Sequence, residues 1–227
     1  MAHRAAVPLI SASHRPPRRF AASTREKLLE AAGQIFAERG YYNVTIREIC
    51  RRAGANVAAV NYTFGDKLGL YTEVLRQSVR SSQTAVLAAA LDATDTPEEL
   101  LRKVIRARLL SICGGAQPDW HFRIVMHEFS QPTPAMARVI DEGMRPIYDR
   151  VRKAVGKIIG LPANHEKTRL CNNSIMGQVL FYTFSRPVLA RLQPDLKLTP
   201  DQLERIADHI TEFSLAYLKK AGARKSL

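Results

Sequence analysis

The sequence of 227 residues contains no unbroken apolar run of about 18 residues, the length a membrane-spanning helix requires, so no transmembrane segment is expected. Its three cysteines, Cys50, Cys113 and Cys171, are far apart and form no C-x-x-C pair. That spacing does not suggest a disulfide framework and suits a reducing cytoplasm. No stretch alternates apolar and polar residues between hairpin signals, and no repeat or low-complexity tract occurs, so the expected class is all-α. Without strands there is no place for a glycine-rich phosphate loop, and no cofactor is expected. His127-Glu128 begins a zinc-hydrolase pattern, but Gln131 stands where the second histidine belongs. His121 and His127 are six apart, poor spacing for one helix face, and read as structural or surface residues. Cys113 beside Gly114-Gly115 has no nucleophile signature around it and reads as a buried helix-end thiol. The segment MAHRAAVPLISASHRPPRRF does not read as a signal peptide, because Pro8 interrupts its apolar patch and HRPPRR follows. Residues 1–22 read as a flexible basic tail, and Arg15, Arg18 and Arg19 could reach along a minor groove.

What the chain does have is basic charge and apolar content. Hydrophobic residues make up 46%, enough for a sizeable core, and the net charge of +13 with a pI near 10.0 favours an anionic partner. Up to Arg80 there are 13 basic and 6 acidic residues, so the charge density is higher in the N-terminal third.

The stretch TIREICRRAGANVAAVNYTFGDK, Thr45 to Lys67, organises the rest. Thr45 and Glu48 form a T-x-x-E capping box, which starts a helix. Ile46, Ile49, Cys50 and Ala53 give it an apolar side, and Gly54 supplies the left-handed residue that ends it. Asn56 then caps a second helix, Val57 to Thr63, with Val60 and Phe64 inward and Val57, Ala58, Asn61 and Tyr62 outward. Two helices joined by a glycine-containing turn are the helix-turn-helix pattern. A small, amide-bearing, aromatic outer face with few charges fits a major groove.

AGANVAAVNYTFGDKLGLY and the lead-in TREKLLEAAGQIFAERGYYNVTIREIC resemble the TetR/AcrR transcriptional regulators over roughly Ser23 to Leu75. The form NVAAVNYTFGDK is most similar to the branch with a CerR-type C-terminal domain. Thr63 stands where the family usually has His, and Leu68 where it often has an acidic or polar residue, which bears on single phosphate contacts and not on the fold. The resemblance implies a DNA-binding regulator, a small-molecule site between C-terminal helices, and a homodimer. Arg47 matches a family position that can reach a base edge. Asn56 and Asn61 could add amide hydrogen bonds, Val57 or Ala58 could touch a thymine methyl, and Thr45, Tyr62 and Lys67 would hold phosphates. Lys67 opens a helix, itself an anion-friendly place.

Around this stretch the chain reads as helices with clear ends. Ser23-x-x-Glu26 opens one that runs to Arg39 and Gly40, with Tyr41 and Tyr42 in the connection read as core anchors or, less readily, as contacts to a nucleic-acid backbone. Another runs from Asp66 toward Leu91 and links reading head to C-terminal region. Thr96-Pro97-Glu98-Glu99 starts the next, and Trp120 to Phe129 forms one more. Ala135 to Ile159 is helical with a bend at Gly143 and Pro146; His165 to Phe184 and Thr199 to Lys220 are long and partly apolar. The expected division is a helix-turn-helix domain at 23–83 and a helical bundle at 84–227. Trp120, Phe122, Met126, Phe129, Met136, Met144, Phe181 and Tyr182 could line a cavity for a hydrophobic effector, or could simply be core, since spacing does not separate the two. The resemblance makes the last two long helices a dimer interface, with Ser174 and Gly177 allowing close approach and Leu180, Ile206, Ile210 and Leu215 in contact. Two rival classes stay open on composition alone: a helical-bundle enzyme or carrier, and a protein that binds DNA without sequence choice.

Overall fold

The computed structural model describes residues 23–90, 94–113 and 119–223. The N-terminal tail with Arg15, Arg18 and Arg19, the Gly114-Gly115 break and the Cys113 side chain lie outside the described residues. Every regular element among those described is helical, as expected. In order they are α1 (Thr24–Arg39), α2 (Ile46–Ala53), α3 (Val57–Phe64), α4 (Lys67–Ala90), α5 (Pro97–Cys113), α6 (Asp119–Ser130), α7 (Pro134–Val139), α8 (Arg145–Ile159), α9 (Glu166–Phe184), α10 (Arg186–Leu192) and α11 (Pro200–Ala223).

The helix starts follow local chemistry. Ser23 and Glu26 make a reciprocal capping box on α1, and Thr96 and Glu99 do the same ahead of α5. His165 caps α9 through its ring, which accepts from the Lys167 N–H. Between α7 and α8 the chain passes through a π turn, Ile140–Met144, at the bend that Gly143 and Pro146 predict. Pro146 lacks an N–H and its ring crowds the carbonyl one turn back, which disfavours a straight α-helix there. Gly143 is needed for a second reason: a Cβ there would come within 2.9 Å of Val79 on α4.

Two apolar clusters hold the chain together. The first joins Leu28, Phe36, Ile49, Val60, Leu70, Tyr71 and Val74, then continues into Trp120 and Ile124 of α6 and Ala135 and Val139 of α7. The second joins Val86 of α4 to Leu101 and Leu109 of α5, Val151 and Val155 of α8, Ile175 and Val179 of α9, and Ile206 and Ile210 of α11. The packing therefore divides differently from the expected boundary at residue 83. Helix α4 enters both clusters, and α6 and α7 complete the first one although they lie far along the chain. A cluster built from α1 to α3 alone would be small; each large side chain added by α6 contributes roughly 1.5–3 kcal/mol of burial.

Candidate nucleic-acid interface

The helix-turn-helix assembles as its caps dictate. The Thr45 hydroxyl donates to Glu48 Oε2 at 2.7 Å and accepts from the Glu48 N–H at 3.3 Å, while the Thr45 N–H donates back at 2.8 Å. These hydrogen bonds from Thr45, aided by Arg39 at 3.0 Å, hold the Glu48 carboxyl below its ordinary pKa. Gly54 sits in the left-handed region at φ 62°, and its N–H and that of Ala55 satisfy the last carbonyls of α2. Asn56 accepts from the Ala58 N–H at 3.0 Å and starts α3.

Helix α3 divides as expected. Val60 is fully buried and Phe64 packs on the first cluster, while Val57, Ala58, Asn61 and Tyr62 face outward. Tyr62 is 95% exposed, so its ring adds nothing to the core. Arg47 is exposed on the outer side of α2. Thr45 and Asn56 are exposed too, but each already spends one oxygen on a cap. Lys67 is only half exposed at the first turn of α4, with its ammonium 4.5 Å from the centre of the Tyr41 ring. Partial burial lowers its pKa and the Glu48 charge opposes that.

Tyr41 and Tyr42 part ways. Tyr41 packs on the first cluster, as expected, whereas Tyr42 is 63% exposed and stands edge-on against Tyr41 at 5.1 Å. It is not a core anchor, because one residue of turn rotates it to the outer side. Tyr42 thus joins the exposed surface, a position that two adjacent tyrosines in a loop could not assign.

The eight aromatic and methionine residues of the C-terminal region do not converge. Trp120 is buried in the first cluster, stacked on His121 at 3.6 Å, with its indole N–H donating to Glu30 at 3.2 Å. Met136 and Met144 pack on that cluster also, and Met126 is half-buried. Phe122 and Phe129 share contact with Phe184, at 6.5 and 5.2 Å. Phe181 is exposed and meets Tyr182 edge-on at 5.7 Å, and Tyr182 leans on the second cluster. His121 and His127 are structural: one ring faces Ser78 Oγ at 3.1 Å, the other the Ala37 carbonyl at 3.1 Å. Among the described residues no group of three or more His, Cys, Asp or Glu could hold a metal ion.

The α9–α11 face also needs correction. Ile206 and Ile210 are buried in the second cluster and cannot meet a partner, and Leu180 and Leu215 are only partly exposed. The exposed stripe instead carries Leu170, Ser174, Gly177 and Phe181 on α9 with Phe213 and Tyr217 on α11. A groove of about 300 Å³ runs between these helices, floored by Cys171 and Ile175. A Cβ on Gly177 would meet nothing within 4 Å. A second cleft, about 960 Å³, lies between α1, α2 and α4, and its charged walls are tied by Arg25 to Glu73 at 2.8 Å.

Residues 28–74 match the model of the bacterial regulatory proteins of the tetR family, and residues 97–218 match the C-terminal domain of the HTH-type transcriptional dual regulator CecR. CecR is thus the name of the branch expected above as CerR. The chain is 28% identical over 171 residues to the HTH-type transcriptional regulator BetI of Stenotrophomonas maltophilia (strain R551-3), covering 64% of this chain and 87% of that one. It is 26% identical over 179 residues to the dual regulator CecR of Shigella flexneri, covering 73% and 78%. Among solved structures, the TetR family regulator PfmR from Thermus thermophilus superposes with a TM-score of 0.58 at 19% identity, over 86% of this chain and 97% of that one. AibR, solved in complex with isovaleryl coenzyme A and operator DNA, superposes with a TM-score of 0.61 at 22% identity, over 84% and 97%. These two likenesses bear on the fold.

Proposed function

The chain belongs to the TetR family of bacterial regulators, with a C-terminal domain of the CecR type, and from that premise we propose a dimeric repressor that a small apolar effector releases from its operator. DNA binding and transcription regulation are what the family does. The specific assignments rest on one observation above all: Val57, Ala58, Asn61 and Tyr62 share the outer face of a helix whose opposite face, at Val60, is fully buried. A folded protein that leaves a tyrosine 95% exposed between an amide and small apolar residues presents a surface suited to base edges and thymine methyls.

In this reading α3 enters the major groove, Arg47 and Asn61 read base edges, and Asn56 contributes the amide N–H bonds its cap leaves unused. Thr45, Tyr62 and Lys67 take the phosphates, and Tyr42 stands beside them. Two copies meet across α9 and α11, which brings two heads to one face of a roughly palindromic site. A protein of the same fold was solved with both an acyl-coenzyme A and operator DNA, which is consistent with a small-molecule effector here. The workplace of such a regulator is the cytoplasm, where the chromosome is. No catalytic role is proposed.

The test is selection of bound duplexes from a random-sequence pool. A palindromic consensus supports the reading; uniform recovery favours binding without sequence choice, and no recovery favours a carrier or enzyme. Arg47→Ala should relax the consensus at one symmetric pair of positions, with a loss of roughly 1–3 kcal/mol per half-site. An identical consensus from variant and parent removes Arg47 from the reading set.

A further inference from the structure

Helix α6 is fastened to α1 and α4 by buried polar groups, and base reading by α2 and α3 uses none of them. The centre of this fastening is Glu128, which is 1% exposed. Three donors converge on its carboxylate. The Tyr71 hydroxyl donates to Oε1 at 2.7 Å, the Thr133 hydroxyl donates to the same oxygen at 2.7 Å, and the Thr133 N–H donates to Oε2 at 2.9 Å. Thr133 is itself the N-cap of α7, so α6, the connection and α7 form one unit around this group. A buried carboxylate is tolerated only when its lone pairs are used in this way.

Tyr71 lies on α4, also 1% exposed, and its ring continues the contact. It meets Phe36 edge-on at 4.8 Å and Tyr41 at 4.9 Å. Tyr41 in turn carries the Lys67 ammonium over its ring at 4.5 Å and supports Tyr42 at 5.1 Å. Lys67 and Tyr71 are one turn apart on α4, so both flank the same tyrosine. An unbroken set of short contacts therefore joins a carboxylate on α6 to a cation at the exposed start of α4. A ring face attracts a cation and restricts where its ammonium can sit.

We propose that Glu128 is a positioning residue for DNA binding: its carboxylate fixes Tyr71, Tyr71 fixes the Tyr41 ring, and that ring holds the Lys67 ammonium where the N-terminus of α4 meets a phosphate. The inference rests on the reading of the α2–α3–α4 corner as the DNA-binding surface. It assigns α6 a definite part in regulation. A hydrogen bond of 2.7 Å is lost when its partners separate by about an ångström, whereas the apolar packing around it survives such a shift. Displacement of α6 by an effector would then loosen a phosphate clamp and leave the base-reading side chains of α2 and α3 in place. Affinity falls on all sequences alike, and the consensus does not change.

Full-length variants are titrated against the selected operator and against a short duplex of unselected sequence, over a range of salt, with thermal unfolding recorded for each. Glu128→Gln and Tyr71→Phe should each weaken binding to both duplexes by roughly 2- to 30-fold, the range found for residues that couple without touching the ligand. Both should make the salt dependence shallower, as Lys67→Ala should by about one unit per head. Added to Lys67→Ala, neither should weaken binding further, because the clamp is already gone. Tyr41→Leu removes the ring and should weaken binding to both duplexes as the Glu128 and Tyr71 variants do. Variants at Glu128 and Tyr71 that melt earlier but keep the parent's affinity and salt slope would mean these groups only hold the core, and the proposal falls. Full additivity with Lys67→Ala overturns it equally. Should Lys67→Ala itself bind as the parent, the reading of the corner fails, a result distinct from a Lys67 effect that Glu128 and Tyr71 do not share. If Glu128→Gln does not fold, Tyr71→Phe, which removes one hydroxyl, decides alone.

Discussion

At Gly69 a Cβ would overlap the Phe64 carbonyl oxygen, and a backbone atom cannot swing aside as a side chain can. The glycine lets the first turn of α4 close tightly on the end of α3, where the Gly69 N–H donates to Asp66 Oδ1 at 2.7 Å. Gly69→Ala should therefore push the two helices apart and cost about 1–3 kcal/mol of stability, the usual range for overpacking. Operator affinity should fall by more than stability alone explains, because Lys67 and α3 lose their relative placement; chemical denaturation and operator titration on one sample separate the two. His121 gives a pH-dependent counterpart. Burial pushes its pKa below 6.5, with the Glu30 charge opposing. The unfolded chain takes up that proton first, so the stability this residue contributes is complete above pH 6.5 and is lost as pH falls through the folded value. Thermal unfolding of His121→Gln should fall less steeply on the acid side of pH 6.5 than that of the parent; parallel curves would show that other groups set the acid limb.

Among the elements, α9 and α11 show how one helix serves two surfaces. Cys171, Ile175 and Val179 of α9 point into the second cluster, while Leu170, Ser174, Gly177 and Phe181 form a stripe on the other side. On α11 the inward set is Leu203, Ile206, Ile210 and Leu218, and Phe213 and Tyr217 stand outside. Phe213 is 63% exposed and would be covered in both copies of a symmetric dimer, each burial contributing roughly 1.5–3 kcal/mol. Phe213→Glu should shift the protein toward monomer in sedimentation and weaken operator binding, with its helical content unchanged. A dimer of undiminished stability would place the interface elsewhere. Sequence periodicity found these helices, but the family resemblance assigned Ile206 and Ile210 to the partner-facing side, whereas both are buried. An apolar residue at helical spacing is as well explained by a core as by a partner, and only the positions of α5 and α8 decide.

Helix α4 joins the two apolar clusters of the molecule, contributing Leu70 to Val79 to one and Val86 to the other. An effector can change operator affinity only by as much as it prefers the DNA-free arrangement. A coupling of roughly 1–3 kcal/mol corresponds to about 5- to 150-fold weaker operator binding, and reciprocity requires operator DNA to weaken effector binding by the same factor. Hydrophobic compounds found by thermal shift should therefore bind less tightly by calorimetry when operator is present. Equal affinity in both conditions would mark them as ligands without regulatory effect.

The sequence alone determined the ends of the helices and the helix-turn-helix itself. The Thr45–Glu48 box, the left-handed Gly54, the Asn56 cap and the buried Val60 are settled within a few residues of chain, where hydrogen bonds and steric limits act without help from elsewhere. Tertiary structure decided which inward side chains share a cluster. Trp120 presses so close to α1 that a Cβ on Gly33 would come within 2.7 Å of its ring, which takes it away from the group expected around an effector. Glu128 and Tyr71 are 57 positions apart, and nothing in their local pattern distinguishes a buried carboxylate from a solvated one. The reason is physical: periodicity tells which face of a helix turns inward, but the partner on that face depends on how distant helices fit together.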